Sequence, residues 1–164
     1  VWDDRTPKEA VKRVWQRFAD LIYSVDEYAG QVTVSVKGEG ILKILGFLRD
    51  DPDLGFDYLQ DICGVDLGEQ TPARFAVVYQ LYSFKNNAHL RLKAFLEGEL
   101  EIDSAVSLWP AAGWAEREVY DMYGIRFRGH PDLKRILLPE WFKAHPLRKD
   151  YPLQGEGERD VLPG

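Results

Sequence analysis

The sequence predicts a two-layer α+β domain, with helices on one face of a mixed, mostly antiparallel sheet, followed by a helix and an extended C-terminal arm. Amphipathic helical stretches and β-rich runs alternate through the first hundred residues in the order α-β-β-α-β-β-β. Pro131, Pro139, Pro146, Pro152 and Pro163 then recur too often for helices or central strands. At 164 residues, 45% of them hydrophobic and 13% aromatic, the chain is long enough to bury a core of its own. The expected divisions are a core domain over 1–110, a helix and basic docking arm over 111–153, and a Gly/Glu-rich, disordered tail over 154–164.

The first element begins at Thr6-Pro7-Lys8-Glu9, where Thr6 reads as N-cap, Pro7 as first turn and Glu9 as the return of a capping box. Val11, Val14, Trp15 and Phe18 follow at helical spacing. The runs from Leu21 to Tyr28 and from Gln31 to Lys37 flank Ala29-Gly30, and Val32, Val34 and Val36 alternate with polar neighbours, which predicts a hairpin with one buried face. Gly38-Glu39-Gly40 sits between strand and helix, where a dinucleotide-binding loop would lie. Lys43 holds the third glycine position and the strand belongs to a hairpin, so the segment reads as a plain turn. Ile41, Leu42, Ile44, Leu45 and Leu48 make a short amphipathic helix that stops at Asp50-Asp51-Pro52. Three strands are expected near Tyr58 to Val65, Phe75 to Phe84 and Leu90 to Leu96. Trp114 to Gly124 is a helix with Ala115, Val119 and Met122 on its core face and Gly124 as its stop.

Charge narrows the function. A formal net charge of −6 argues against a general nucleic-acid binder, which needs a dominant basic surface. The charge is uneven: Glu97 to Asp121 holds seven acidic residues and one basic, Arg126 to Lys149 seven basic and two acidic. Such asymmetry points to a partner surface or to internal docking of one segment on the other. The first twelve residues have no apolar run of signal-peptide type, and no stretch approaches the ~20 apolar residues that span a bilayer.

The single cysteine, Cys63, excludes an internal disulfide and leaves no CxxC or Cys/His array for zinc or an iron–sulfur cluster. His89, His130 and His145 are not spaced to put two ligands on one helix face, and the two His-Pro pairs read as turns whose rings hydrogen-bond backbone. Glu116, Arg117, Glu118 and Asp121 form the densest charged cluster. No nucleophile accompanies its carboxylates, so an acidic stripe facing solvent or a partner, with Arg117 and Asp121 in i, i+4 contact, is favoured over acid–base chemistry. The arm mixes Arg126, Arg128, Lys134, Arg135, Arg148 and Lys149 with Phe127, Trp141, Phe142 and Tyr151. That composition suits an anionic ligand or a protein interface, and the net acidity favours the interface.

Three stretches carry a resemblance. Trp114-Ala115-Glu116-Arg117-Glu118-Val119-Tyr120-Asp121-Met122-Tyr123-Gly124-Ile125, then Gly129-His130-Pro131-Asp132-Leu133-Lys134-Arg135-Ile136-Leu137, then His145-Pro146-Leu147-Arg148-Lys149-Asp150-Tyr151-Pro152 resemble, in order, the ERExYDMxGI, GHPxLxRIL and HPLRKDYP signatures of the C-type (30-kilodalton class) subunit of proton-pumping NADH:quinone oxidoreductase, complex I. Leu59 to Asp66 resembles the strand before that family's central hairpin, so the likeness covers roughly residues 40 to 153. Ala144, Gly113 and the link Glu140-Trp141-Phe142 depart from the family pattern at turns.

The resemblance implies a non-catalytic, cofactor-free subunit of the translocase's peripheral arm. The iron–sulfur clusters and FMN would lie in partner subunits, and the partners would be the large quinone-site subunit and neighbouring cluster-carrying subunits, with no nucleic acid. Membrane association would come only through the complex, on the cytoplasmic face of the cell membrane or the matrix side in a mitochondrion. The expected partner interface comprises Glu116, Arg117, Glu118, Asp121, His130, Pro131, Arg135, Trp141, His145, Pro146, Leu147, Arg148, Lys149, Asp150 and Tyr151. In it Arg135, Arg148 and Lys149 would meet partner carboxylates, and Trp141 and Tyr151 would fill pockets. The related subunit of membrane-bound hydrogenases is the near alternative, a nucleic-acid-binding protein or a stand-alone metal hydrolase the distant ones.

Overall fold

A computed structural model describes residues 5–156. Its elements are α1 (Arg5–Phe18), β1 (Ile22–Tyr28), β2 (Gln31–Lys37), α2 (Ile41–Asp50), β3 (Tyr58–Asp66), β4 (Phe75–Ser83), β5 (Ala88–Leu96), β6 (Glu101–Asp103), α3 (Ala112–Tyr123) and β7 (Arg126–Arg128). Strands β1 to β5 form one sheet in the order β1-β2-β5-β4-β3. Every pairing in it is antiparallel except β2 with β5, where Thr33 stands opposite Arg91 and Val36 opposite Ala94. The α+β class and the element order through β5 are those the sequence predicts.

Alternation decides which face is buried. In β2, β4 and β5, Val32, Val34 and Val36, then Val77, Tyr79 and Leu81, then Leu90, Leu92 and Ala94 turn one way. They pack with Ala10 and Val14 of α1 and with Ile41, Ile44, Leu45 and Leu48 of α2. Each buried Val, Leu or Ile among them contributes about 1.5–3 kcal/mol. Arg13 ties the two helices at their ends, reaching Asp51 at 2.9 Å and Asp53 at 3.2 Å. The α2 helix stops where expected, with the Asp51 amide closing on Phe47.

Several expectations change. The capping role of Thr6 and residues 157–164 of the proposed tail lie outside what is described. Trp15 is 46% exposed rather than a core residue, because Ala10 and Val14 already fill the contact with the sheet. Of the hairpin, only β2 has a buried face; β1 lies at the sheet edge and is exposed from Tyr23 onward. Gly38–Gly40 is one turn of 3-10 helix between β2 and α2.

The largest departure is in the arm. It does not leave the core at Arg126: Ile125 and Phe127 are buried, and β7 pairs in parallel with β6, a strand the sequence pattern does not reveal. The Arg126 amide donates to Leu100 and the Ser104 amide to Arg128. Three residues are too few for periodicity to mark either strand.

Candidate functional site

The α3 helix lies along β3, the edge strand farthest from β1. Gly64 makes the approach possible, since a Cβ there would lie 2.4 Å from the Tyr123 ring. The helix ends at Gly124, whose φ of +76° is the left-handed cap that glycine adopts without steric cost.

The last carbonyls of a helix have no partner within it. Here the second His-Pro segment supplies partners. His145 Nδ1 lies 2.9 Å from the Asp121 carbonyl oxygen, the Leu147 amide donates to Met122, and Arg148 Nε donates to Tyr123 at 2.7 Å. The Gly124 amide returns to Tyr120. The Arg135 and Arg148 guanidiniums therefore stand at the negative end of the helix dipole, where cations are favoured.

Asp121 organises the segment between the two His-Pro pairs. Its side chain has no exposed surface. Oδ1 accepts from Arg135 Nη1 at 2.6 Å, and Oδ2 accepts from three successive amides, Ile136, Leu137 and Leu138, at 2.8–3.0 Å. Burial works against the charge, but the Leu138 amide, Arg135 and the other two amides outweigh it and hold the carboxyl below its ordinary range. Asp66, at the end of β3, does the same for the next stretch. It accepts from Arg74 at 2.9 and 3.1 Å, from the Gly68 amide and from the Lys149 amide. Arg74 also pairs with Asp150 at 2.8 Å, and the Asp66 carboxyl is held well below its usual range, by Arg74 first.

Glu116 is buried too, but without a cation among the described residues. Oε2 accepts from Ser104 Oγ and Oε1 from the Ala105 amide, each at 2.6 Å. Its carboxyl is raised, by burial first, with both hydrogen bonds opposing. Tyr79, whose hydroxyl is buried without a partner among the described residues, is pushed upward by burial and then by the charge of Glu116.

These contacts correct the acidic-stripe expectation. Glu116 and Asp121 point inward, and of the three carboxylates only Glu118 is exposed. The expected Arg117–Asp121 contact does not form: Arg117 donates to the carbonyls of Lys134 and Arg135 and stacks 5.2 Å from the Trp114 ring. Arg135 and Arg148 are committed within the chain rather than left for a partner. Of the two alternatives that charge asymmetry offered, internal docking accounts for them.

His130 joins its Nε2 to the Gly113 carbonyl at 3.0 Å and accepts the Asp132 amide on Nδ1, so both His-Pro rings bond backbone as expected. Among the described residues, no three His, Cys, Asp or Glu side chains are grouped to hold a metal ion. Trp141, Phe142 and Tyr151 form a row of rings 6.0 and 6.3 Å apart, with Arg135 over Phe142. Pro131 and Lys149 are exposed, Pro146 is half-buried, and Leu147 is 53% exposed. Sequence reasoning missed the roles of Asp66, Arg74, Ser104 and Tyr79. Asp66 had a signal, an acid at a core-facing strand position just before Gly68; Arg74 and Ser104 had none.

The family model described as "Respiratory-chain NADH dehydrogenase, 30 Kd subunit" matches residues 34–157. The chain belongs to this complex I family. The match takes in the sheet from β2 onward, α3 and the whole arm. Among curated members, the C-type NADH-quinone oxidoreductase subunit from Citrifermentans bemidjiense is 51% identical over 147 residues, 89% of each chain. Its counterpart from Geobacter metallireducens is 47% identical over 150 residues, 90% of this chain and 91% of its own. Among solved structures, a trypsin-resistant fragment of Nqo5 has a TM-score of 0.63 at 30% identity, covering 76% of this chain and 99% of the fragment. A chain of the membrane-bound sulfane sulfur reductase, an archaeal respiratory membrane complex, shares the fold alone: its TM-score is 0.73 at 20% identity, over 96% of this chain and 92% of that one.

Proposed function

We propose that the chain is a structural subunit of the peripheral arm of a proton-translocating NADH:quinone oxidoreductase, docking through α3 and the arm on the large quinone-site subunit. One observation carries this reading. Asp121, Arg135 and Arg148 are spent internally, and apolar side chains of α3 and the arm are left outward: Trp114 in α3 is 65% exposed, and in the arm Leu137 is 61% and Trp141 38% exposed, together with Leu147. Apolar side chains held outward by a fixed backbone are what a partner protein buries, and Trp is among the residues that dominate interface energies.

Contact on this reading is made by Trp114, Glu118, Pro131, Leu137, Trp141, Leu147 and the Lys149 ammonium. Glu116, Asp121, His130, Arg135, His145 and Arg148 shape the surface from behind, and Asp150, held by Arg74, stays exposed at its margin. Pro146 sets the second turn, and Tyr151 backs the ring row. The subunit is non-catalytic and carries no redox centre; iron–sulfur clusters and FMN belong to its partners. Among the described residues no helix is long and apolar enough to cross a membrane. The chain is placed by its complex at the cytoplasmic face of the membrane, or the matrix side in a mitochondrion. The hydrogenase alternative is the weaker one, since the curated relatives are named as the C-type subunit of NADH-quinone oxidoreductase.

The test is co-purification with the large quinone-site subunit. Truncation at Ile125 would uncover the end of α3 and remove the buried Phe127, so substitutions are the better probe. The wild-type chain should retain the partner, and Trp141→Ala with Leu147→Asp should lose it while melting at an unchanged temperature. Equal retention by both would sink the docking reading.

A further inference from the structure

Away from the α3 edge, two clefts open side by side and share Phe95 and Glu97. The first, about 310 Å³, lies between the β1 side of the sheet and the loop joining β3 to β4. Tyr23, Phe95, Leu67, Pro72 and Ala73 give it a mainly apolar lining. The second, about 230 Å³, is lined by Glu39, Glu97, Glu99 and Glu101 with Lys37 and Arg128.

The charges of the second cleft are not balanced from within. Arg128 is already paired with Asp103 at 2.9 Å, and Glu97 accepts the Tyr23 hydroxyl. Lys93 lies over the Phe95 ring. Glu39, Glu99 and Glu101 have no ion-pair partner among the described residues. The two clefts meet at Glu97, which accepts the Tyr23 hydroxyl: the Tyr23 phenol is pushed up to about 12, by burial first, then by Glu97, with Glu39 adding to it. An apolar cup beside unneutralised carboxylates is complementary to a chain that offers an apolar side chain followed by cations.

We propose that this paired cleft is a second docking surface, and that its occupant is a basic segment of another protein chain anchored by one large apolar side chain. That side chain seats between Tyr23, Phe95 and Pro72, and the following Lys or Arg residues meet Glu99 and Glu101. The subunit then joins two partners, one at the α3 edge and one at the β1 side of the sheet. The inference rests on the proposed function only in requiring that the chain sit in a larger assembly.

The test places the photoreactive residue p-benzoylphenylalanine at Pro72 and, in a separate preparation, at Trp141 of the purified assembly. The expected adduct at Pro72 is a Lys/Arg-bearing peptide of another subunit, and Glu99→Lys with Glu101→Lys should lower its yield severalfold while the isolated chain keeps its melting temperature. No adduct at Pro72 alongside one at Trp141 overturns the second surface and leaves the first standing. An adduct with lipid, with a second copy or with an acidic peptide overturns it as well, as does a yield indifferent to the charge reversal. Absence of adducts at both positions overturns both readings.

Discussion

The Asp121 carboxylate meets the Arg135 guanidinium at 2.6 Å with no surface of its own exposed, and the same carboxylate gathers the amides of Ile136, Leu137 and Leu138. One helical side chain thus fixes the course of the arm fourteen to seventeen residues later. Breaking a buried, hydrogen-bonded pair by removing one partner costs about 3–5 kcal/mol. Asp121→Asn should lower the urea midpoint accordingly, because its NH2 faces donors where the carboxylate faced them as an acceptor. A midpoint within error of wild type would show that the arm is held elsewhere.

The arm should be ordered in the isolated chain, since its polar groups are satisfied from within. Hydrogen exchange reads this amide by amide. The Leu138 and Lys149 amides should be protected in the wild-type chain. Leu138 should lose protection in Asp121→Asn, and Lys149 in Asp66→Asn, whose carboxylate accepts it at 2.8 Å. Rapid exchange at both in the wild type would mean that the arm orders only on its partner.

Buried carboxylates of opposite tendency give the stability a two-sided pH dependence. Asp66 and Asp121 are depressed, so their contribution is present above the ordinary carboxylate range and is lost as pH falls through their lowered values. Glu116 is raised, so its contribution is complete below the ordinary value and is lost as pH rises through the raised one. Urea unfolding from about pH 3 to about pH 8 should show the deficit of Asp66→Asn shrinking in acid, and Glu116→Gln gaining on wild type as pH rises. A Glu116→Gln curve parallel to wild type would deny the carboxyl any shift.

Gly64→Ala tests the seating of α3. A methyl group 2.4 Å from the Tyr123 ring overpacks the contact, at about 1–3 kcal/mol. Thermal unfolding should register the loss, and the melting temperature should partly recover in Gly64→Ala with Tyr123→Leu, where the ring is gone.

Local chemistry made much of the fold legible. The valines of β2, the leucines of α2 and the Gly124 stop each act through neighbours a few residues away, so spacing alone exposes them. Strands β6 and β7 escaped because each is three residues long and gains its partner across more than twenty residues of chain. The site divides in the same way. The motifs around Glu116, His130 and His145 marked where it lies, and the inward turn of Asp121 and Glu116 did not show, since a carboxylate on a helix is ordinarily a solvated one.

What the sequence by itself determined is therefore the order of elements through β5, the buried faces of β2 and α2, and the family. Which charges face inward was decided by the tertiary structure alone. A buried carboxylate is tolerated only where donors from distant segments converge on it, and those of Asp66 and Asp121 come from Arg74, Lys149, Arg135 and the backbone that follows Arg135. No local pattern records such a meeting, because it exists only once the chain has folded back on itself.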